Sequence, residues 1–98
     1  MRATLLALAM LTACAGAEVP APSVIDANRS GVALDRLNRG RAVYLDKCTR
    51  CHTPIAPRDY SSSDWPGHVD EMTDRSKISQ EEKELILAYL TTMSVPAK

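Results

Sequence analysis

The 98-residue chain contains no phenylalanine, one tryptophan and three tyrosines, and that scarcity bounds the core it can build. A chain of this length forms one small domain at most, which buries only about 60–65% of the surface its unfolded form exposes. With so little aromatic volume, the interior needs something further to complete it. An excess of charge of either sign is also missing, with 12 Lys and Arg against 12 Asp and Glu. Such a balance provides no basic field for a polyanion, so a nucleic-acid partner is not expected. Alternation of apolar and polar residues with period two is nowhere sustained, which argues against a sheet, and there is no internal repeat or low-complexity tract.

Long hydrophobic runs are missing too. The apolar stretch from Ala3 to Ala13, behind the single Arg2, is shorter than the roughly 20 residues a bilayer span needs, and it ends in small residues. Residues 1–17 therefore read as an export signal. Two processing readings stay open. "LTAC", Leu11 to Cys14, resembles the bacterial lipobox, in which the cysteine is acylated and becomes the new N-terminus. "AGA", Ala15 to Ala17, fits the small-x-small rule of the ordinary signal peptidase, which would discard Cys14 with the signal. The lipobox is preferred, because a cysteine seldom closes such an apolar run by accident. Ala15 after the cysteine implies, by analogy with such lipoproteins, a periplasmic protein tethered to the outer membrane. Residues 18–31, "EVPAPSVIDANRSG", hold two prolines and no sustained periodicity, and read as a flexible tether ahead of a domain over 32–98.

From Val32 the pattern turns helical. Leu34, Leu37, Val43, Tyr44, Leu45 and Cys48 recur at three- and four-residue steps, with Arg36, Arg39, Arg41 and Asp46 opposite. Gly40 interrupts this stripe at a cost of about 1 kcal/mol relative to alanine, which points to a close approach by another backbone. A second helix is predicted within "SSSDWPGHVDEM", with Ser62 or Ser63 as its cap, Pro66 in its first turn and Trp65, Val69 and Met72 on one face. The third opens on the capping box "SQEE", Ser79 to Glu82, and runs on Leu85, Ile86, Tyr89, Leu90 and Met93 toward Pro96.

The chain has few cysteines. If Cys14 is lipidated or removed, only Cys48 and Cys51 remain, within "DKCTRCHTP". Zinc would require Cys48, Cys51, His52 and His68 around one tetrahedron, although Cys51 and His52 are adjacent. A thioredoxin-like site expects its cysteine pair at a helix start in a βαβ setting, whereas this pair closes a helix. A disulfide across so small a loop stabilises little and leaves His52 unexplained. Haem attachment accounts for all of it. In C-x-x-C-H at a helix end, both sulfurs are spaced to add to the two vinyl groups of one haem c, and the next imidazole reaches the iron. Such a macrocycle would also fill the interior that the side chains cannot.

Over about Gly40 to Met93, three motifs resemble the small bacterial monohaem c-type cytochromes of class I: Gly40 followed by "RAVYLDKCTRCH", then "WPGHVDEM", then "SQEEKELILAYL". The resemblance implies an all-α, three-helix fold around one covalent haem. It further implies a meeting of Gly40 or Tyr44 with Tyr89 across the haem edge, and Met72 as the sixth iron ligand opposite His52. His68 is the alternative ligand, and Met72 as ordinary core filling the plainer reading; Met93 is expected to pack in the core. The family's glycine-proline loop is replaced here by "TPIAPRDYSSSD", so a carbonyl near Pro54 or Pro57 is the expected acceptor for His52. Trp65 is expected either to bond a propionate or to pack in the core, and Arg58 is a second propionate candidate. The implied role is shuttling single electrons between periplasmic redox partners, with no bond-making catalysis. The alternatives are a ligand-binding or sensor haem protein with an open sixth position, and a haem subunit of a dehydrogenase.

Overall fold

The protein is described here by a computed structural model covering residues 19–48 and 55–95. These residues form four α-helices: α1 Val24–Ser30, α2 Leu34–Lys47, α3 Trp65–Ser76 and α4 Gln80–Met93, with a 3-10 turn at Pro57–Asp59 between α2 and α3. Among them the only β-type pairing is an isolated parallel bridge between Ser61 and Val95. The all-α expectation holds, with one helix more than the three the sequence suggested.

The last helix starts where its sequence says it should. The Ser79 hydroxyl accepts from the Glu82 amide at 3.1 Å, and the Glu82 carboxylate accepts from the Ser79 amide at 2.9 Å. Each bond satisfies an amide that the first helical turn leaves without a partner. Beyond the cap, Leu85, Ile86, Tyr89 and Leu90 are buried along one stripe, and Met93 packs against the same core. The start of α3 differs from expectation. Asp64, not Ser62 or Ser63, occupies the capping position, and it makes no side-chain capping bond. Instead the Ser61 carbonyl accepts from the amides of Asp64 and Trp65 at 3.0 and 3.2 Å. A backbone turn thus leads into the helix, and Pro66 falls in the first turn, where its missing amide hydrogen has no partner to lose.

Helices α2 and α4 cross at Gly40. A Cβ at this position would overlap the Leu85 carbonyl oxygen and lie 2.9 Å from Tyr89 Cβ. The close approach that the glycine suggested is therefore present, with Tyr89 as one of the residues it meets.

The stretch expected to be a flexible tether is built into the fold from Val19 onward. Val19 is buried in the main core cluster. Its carbonyl accepts from Arg41 Nε at 2.9 Å, and the Pro20 carbonyl accepts from the Tyr89 hydroxyl at 2.5 Å. Ser23 then caps α1 through a second capping box with Asp26, Gly31 ends it at φ 78°, and Arg29 reaches the Thr92 carbonyl at 3.3 Å. Periodicity missed this segment for a physical reason: α1 spans two turns and buries none of its own side chains. Its attachment runs through backbone carbonyls, which leave no pattern in the residue types.

Gly40→Ala is expected to destabilise the protein by about 3 kcal/mol, the upper end of overpacking costs, because the obstruction is backbone carbonyl. Gly67→Ala provides the contrast. It lies within α3 with nothing inside 4 Å of an added Cβ, so it should raise stability by about 0.5–1 kcal/mol. Urea unfolding of the two variants measures both; equal effects would show that the α2–α4 crossing is looser than described.

Candidate functional site

Cys48 terminates α2. Its backbone amide donates to the Tyr44 carbonyl, and the residue is buried against a cluster that includes Tyr44, Trp65, Val69, Ile86, Tyr89 and Leu90. Met72, three residues beyond Val69 on α3, is partly buried against that same cluster, as is Met93. The structure thus brings Cys48 and Met72 to one core. Cys51 and His52, and the proposed lipidation site Cys14, lie outside the described residues. Among the described residues, no three His, Cys, Asp or Glu side chains gather as a metal site would require.

Three of the open alternatives acquire definite geometry. Trp65 is fully buried, and its indole nitrogen donates to the Pro57 carbonyl at 2.8 Å, so it serves as a core residue with an internal acceptor. The Pro57 carbonyl, one of two acceptors expected for His52, is accordingly engaged by Trp65, and Pro54 lies outside the described residues. His68 is half-buried, its ring 3.9 Å from that of Tyr60 and 6.0 Å from that of Trp65. Arg58 is exposed.

Tyr44, expected in the apolar stripe and, by the resemblance, as one of two candidates to meet Tyr89, does more. Its hydroxyl donates to the Ile55 carbonyl at 2.6 Å and accepts from the Ile55 amide at 3.0 Å. Its own carbonyl meanwhile accepts from Cys48. One tyrosine therefore fixes both residues that flank the segment 49–54, on which Cys51 and His52 are carried. The position was legible, four residues before Cys48 on the same helix face. The role of the hydroxyl was not, because its partner approaches only in the folded chain. Burial raises the Tyr44 phenol to about 12, against a lowering by the Ile55 backbone bond. Burial likewise lifts Tyr89 to about 12, opposed by the nearby Arg41.

Because both phenols are raised from 10.0 in the folded state, the unfolded chain gives up those protons first. Stability should be constant with respect to these groups below pH 10 and fall as pH rises from 10 toward 12. Tyr44→Phe keeps the ring and removes both bonds to Ile55. The expected loss is about 1–3 kcal/mol near neutral pH, with faster amide exchange at Ile55 and a shallower alkaline decline. Unchanged Ile55 exchange in this variant would show that the clasp does not hold in solution.

No protein-family model, curated protein or solved structure matches this chain.

Proposed function

We propose that this chain is an exported monohaem c-type cytochrome that carries single electrons between redox partner proteins. One haem c is attached through Cys48 and Cys51, and its iron is held by His52 and Met72. The observation that carries the reading is the C-x-x-C-H sequence at the end of α2, whose first cysteine is turned into the core. Two thiols with two residues between them match the two vinyl positions, and the adjoining imidazole would supply a nitrogen ligand to the iron. The donor set therefore fits the group. Met72 borders the same cluster as Cys48, whereas the His68 ring is taken up in contacts with Tyr60 and Trp65. Both facts favour Met72 over His68 as the sixth ligand.

The bound haem supplies a one-electron iron couple. The polypeptide's part is to hold it and to set its potential. A thioether ligand favours ferrous iron and raises the potential, and burial keeps water from the iron. The reading assigns no bond-making chemistry to the chain. Acylation of Cys14 would tether it on the periplasmic side of the outer membrane.

Acid-acetone treatment of protein matured in an exporting bacterium should leave haem on the polypeptide, and intact mass should show one haem added. Reduced, unmodified thiols at Cys48 and Cys51 in that material would end the cytochrome reading. With haem in place, the ferric protein should be low-spin and show sulfur-to-iron charge transfer. Met72→Ala should abolish that band, lower the potential and admit carbon monoxide to the reduced iron, while His68→Ala leaves the band intact. A wild type that binds carbon monoxide readily would move the function to ligand binding.

A further inference from the structure

Among the described residues, three large apolar side chains stand exposed. They are Val24 and Ile25, which are 60% and 74% exposed, and Val95 at 44%. Val24 and Ile25 begin α1, and α1 is tied through Arg29 to the Thr92 carbonyl in the last turn of α4. Val95 follows that helix end directly. The seated segment meets the same half of α4, through the bond from Tyr89 to Pro20. Charged and capped residues hold the opposite end of α4, where Ser79 and Glu82 close the capping box and Glu81 is exposed.

Seating of the segment also changes the length of any anchor. With Val19 buried and the Val19 and Pro20 carbonyls fixed by Arg41 and Tyr89, a tether from Cys14 can extend no further than Val19. From Cys14 to Val19 is five residue steps, a reach of at most roughly 18 Å even when fully extended. A long tether would let the domain turn any face toward the membrane; one this short leaves little choice. The end of the molecule that carries Pro20 and α1 stays nearest the acylated residue. Aliphatic side chains are stabilised at the boundary between headgroups and acyl chains, in proportion to the apolar area they bury there.

From this we infer that Val24, Ile25 and Val95 form a seat on the phospholipid bilayer surface, holding the domain in one orientation against the membrane to which Cys14 anchors it. The inference rests on the lipid-anchor reading above. It makes the anchor and the seat two parts of one attachment, in which a covalent lipid supplies the strength and the apolar side chains supply the direction.

The test uses the full-length chain with its own signal, matured in an exporting bacterium and reconstituted in vesicles of phosphatidylethanolamine and phosphatidylglycerol. Intact mass reads the state of Cys14. The photo-crosslinking substitution Ile25→p-benzoylphenylalanine reads what covers the seat, with Glu81→p-benzoylphenylalanine, about 16 Å from Thr92 along α4, as the control. Phospholipid adducts at position 25 at least several-fold above those at position 81 are expected. Acylated protein with equal adducts at the two positions, or none at 25, overturns the seat while leaving the anchor intact. Adducts at position 25 to a second copy of the chain would make the patch a dimer contact and overturn the bilayer assignment. Absence of lipid on Cys14 overturns the anchor and the seat together.

Discussion

The overlap that any side chain at position 40 would suffer with the Leu85 carbonyl is the constraint from which the rest of the molecule follows. Two helices can approach this closely only where one of them lacks a Cβ, so the register of α2 against α4 is set by a single residue. That register places Tyr44 one turn beyond the crossing on α2 and Tyr89 one turn beyond Leu85 on α4. Each tyrosine then uses its hydroxyl to hold a segment with little regular structure of its own. Tyr44 takes Ile55, and Tyr89 takes Pro20. The two phenols are buried at their rings and bonded at their tips, the combination that makes a tyrosine both a packing element and a fastener.

Legibility in the sequence followed the range of the interactions. The capping box of α4 lies within four consecutive residues, and it stands where those residues put it. Gly40 was legible because a glycine inside an apolar helical stripe has a cost that something must offset. The approach to α3 was less so: "SSSD" offers several side-chain caps, and the chain instead satisfies its first amides from the Ser61 carbonyl, a group every residue possesses. Val19 to Pro22 was the furthest from view. Prolines and small residues suit an extended linker, and nothing in their identity announces that Arg41 and Tyr89 wait for their carbonyls. The capping pair Ser23 and Asp26 was the one local signal of α1, and its two turns were too short to add a stripe.

The same distinction applies to the candidate site. C-x-x-C-H is a local pattern whose spacing carries its chemistry, and it needs no fold to be recognised. The clasp made by Tyr44 and the capture of the Pro57 carbonyl by Trp65 depend on parts of the chain 11 and 8 residues apart meeting in space. Rings from Tyr44 to Trp65 to Tyr60, and on to His68, stand in succession with centroids 6.3, 5.2 and 3.9 Å apart. Nearly all the aromatic residues of a chain poor in them are thereby spent in one place, beside Cys48. Surface ion pairs add little by comparison. Lys83 with Asp70 links α3 to α4, and Lys47 with Glu82 at 3.9 Å links α2 to α4, each worth less than about 1 kcal/mol when solvated.

The bond from Tyr89 to Pro20 joins residues 69 positions apart, and this separation sets an order of events. A chain that emerges N-terminus first presents Val19 and Pro20 long before it presents the helix that receives them. Helices α1 and α2 are local and form in about a microsecond once their residues are available, but the segment ahead of them has no seat until α4 has arrived and crossed at Gly40. Closing so wide a loop also costs more entropy than the local contacts within the helices do. The first described residues of the protein are thus among the last to reach their final place, and their arrival marks the completed fold.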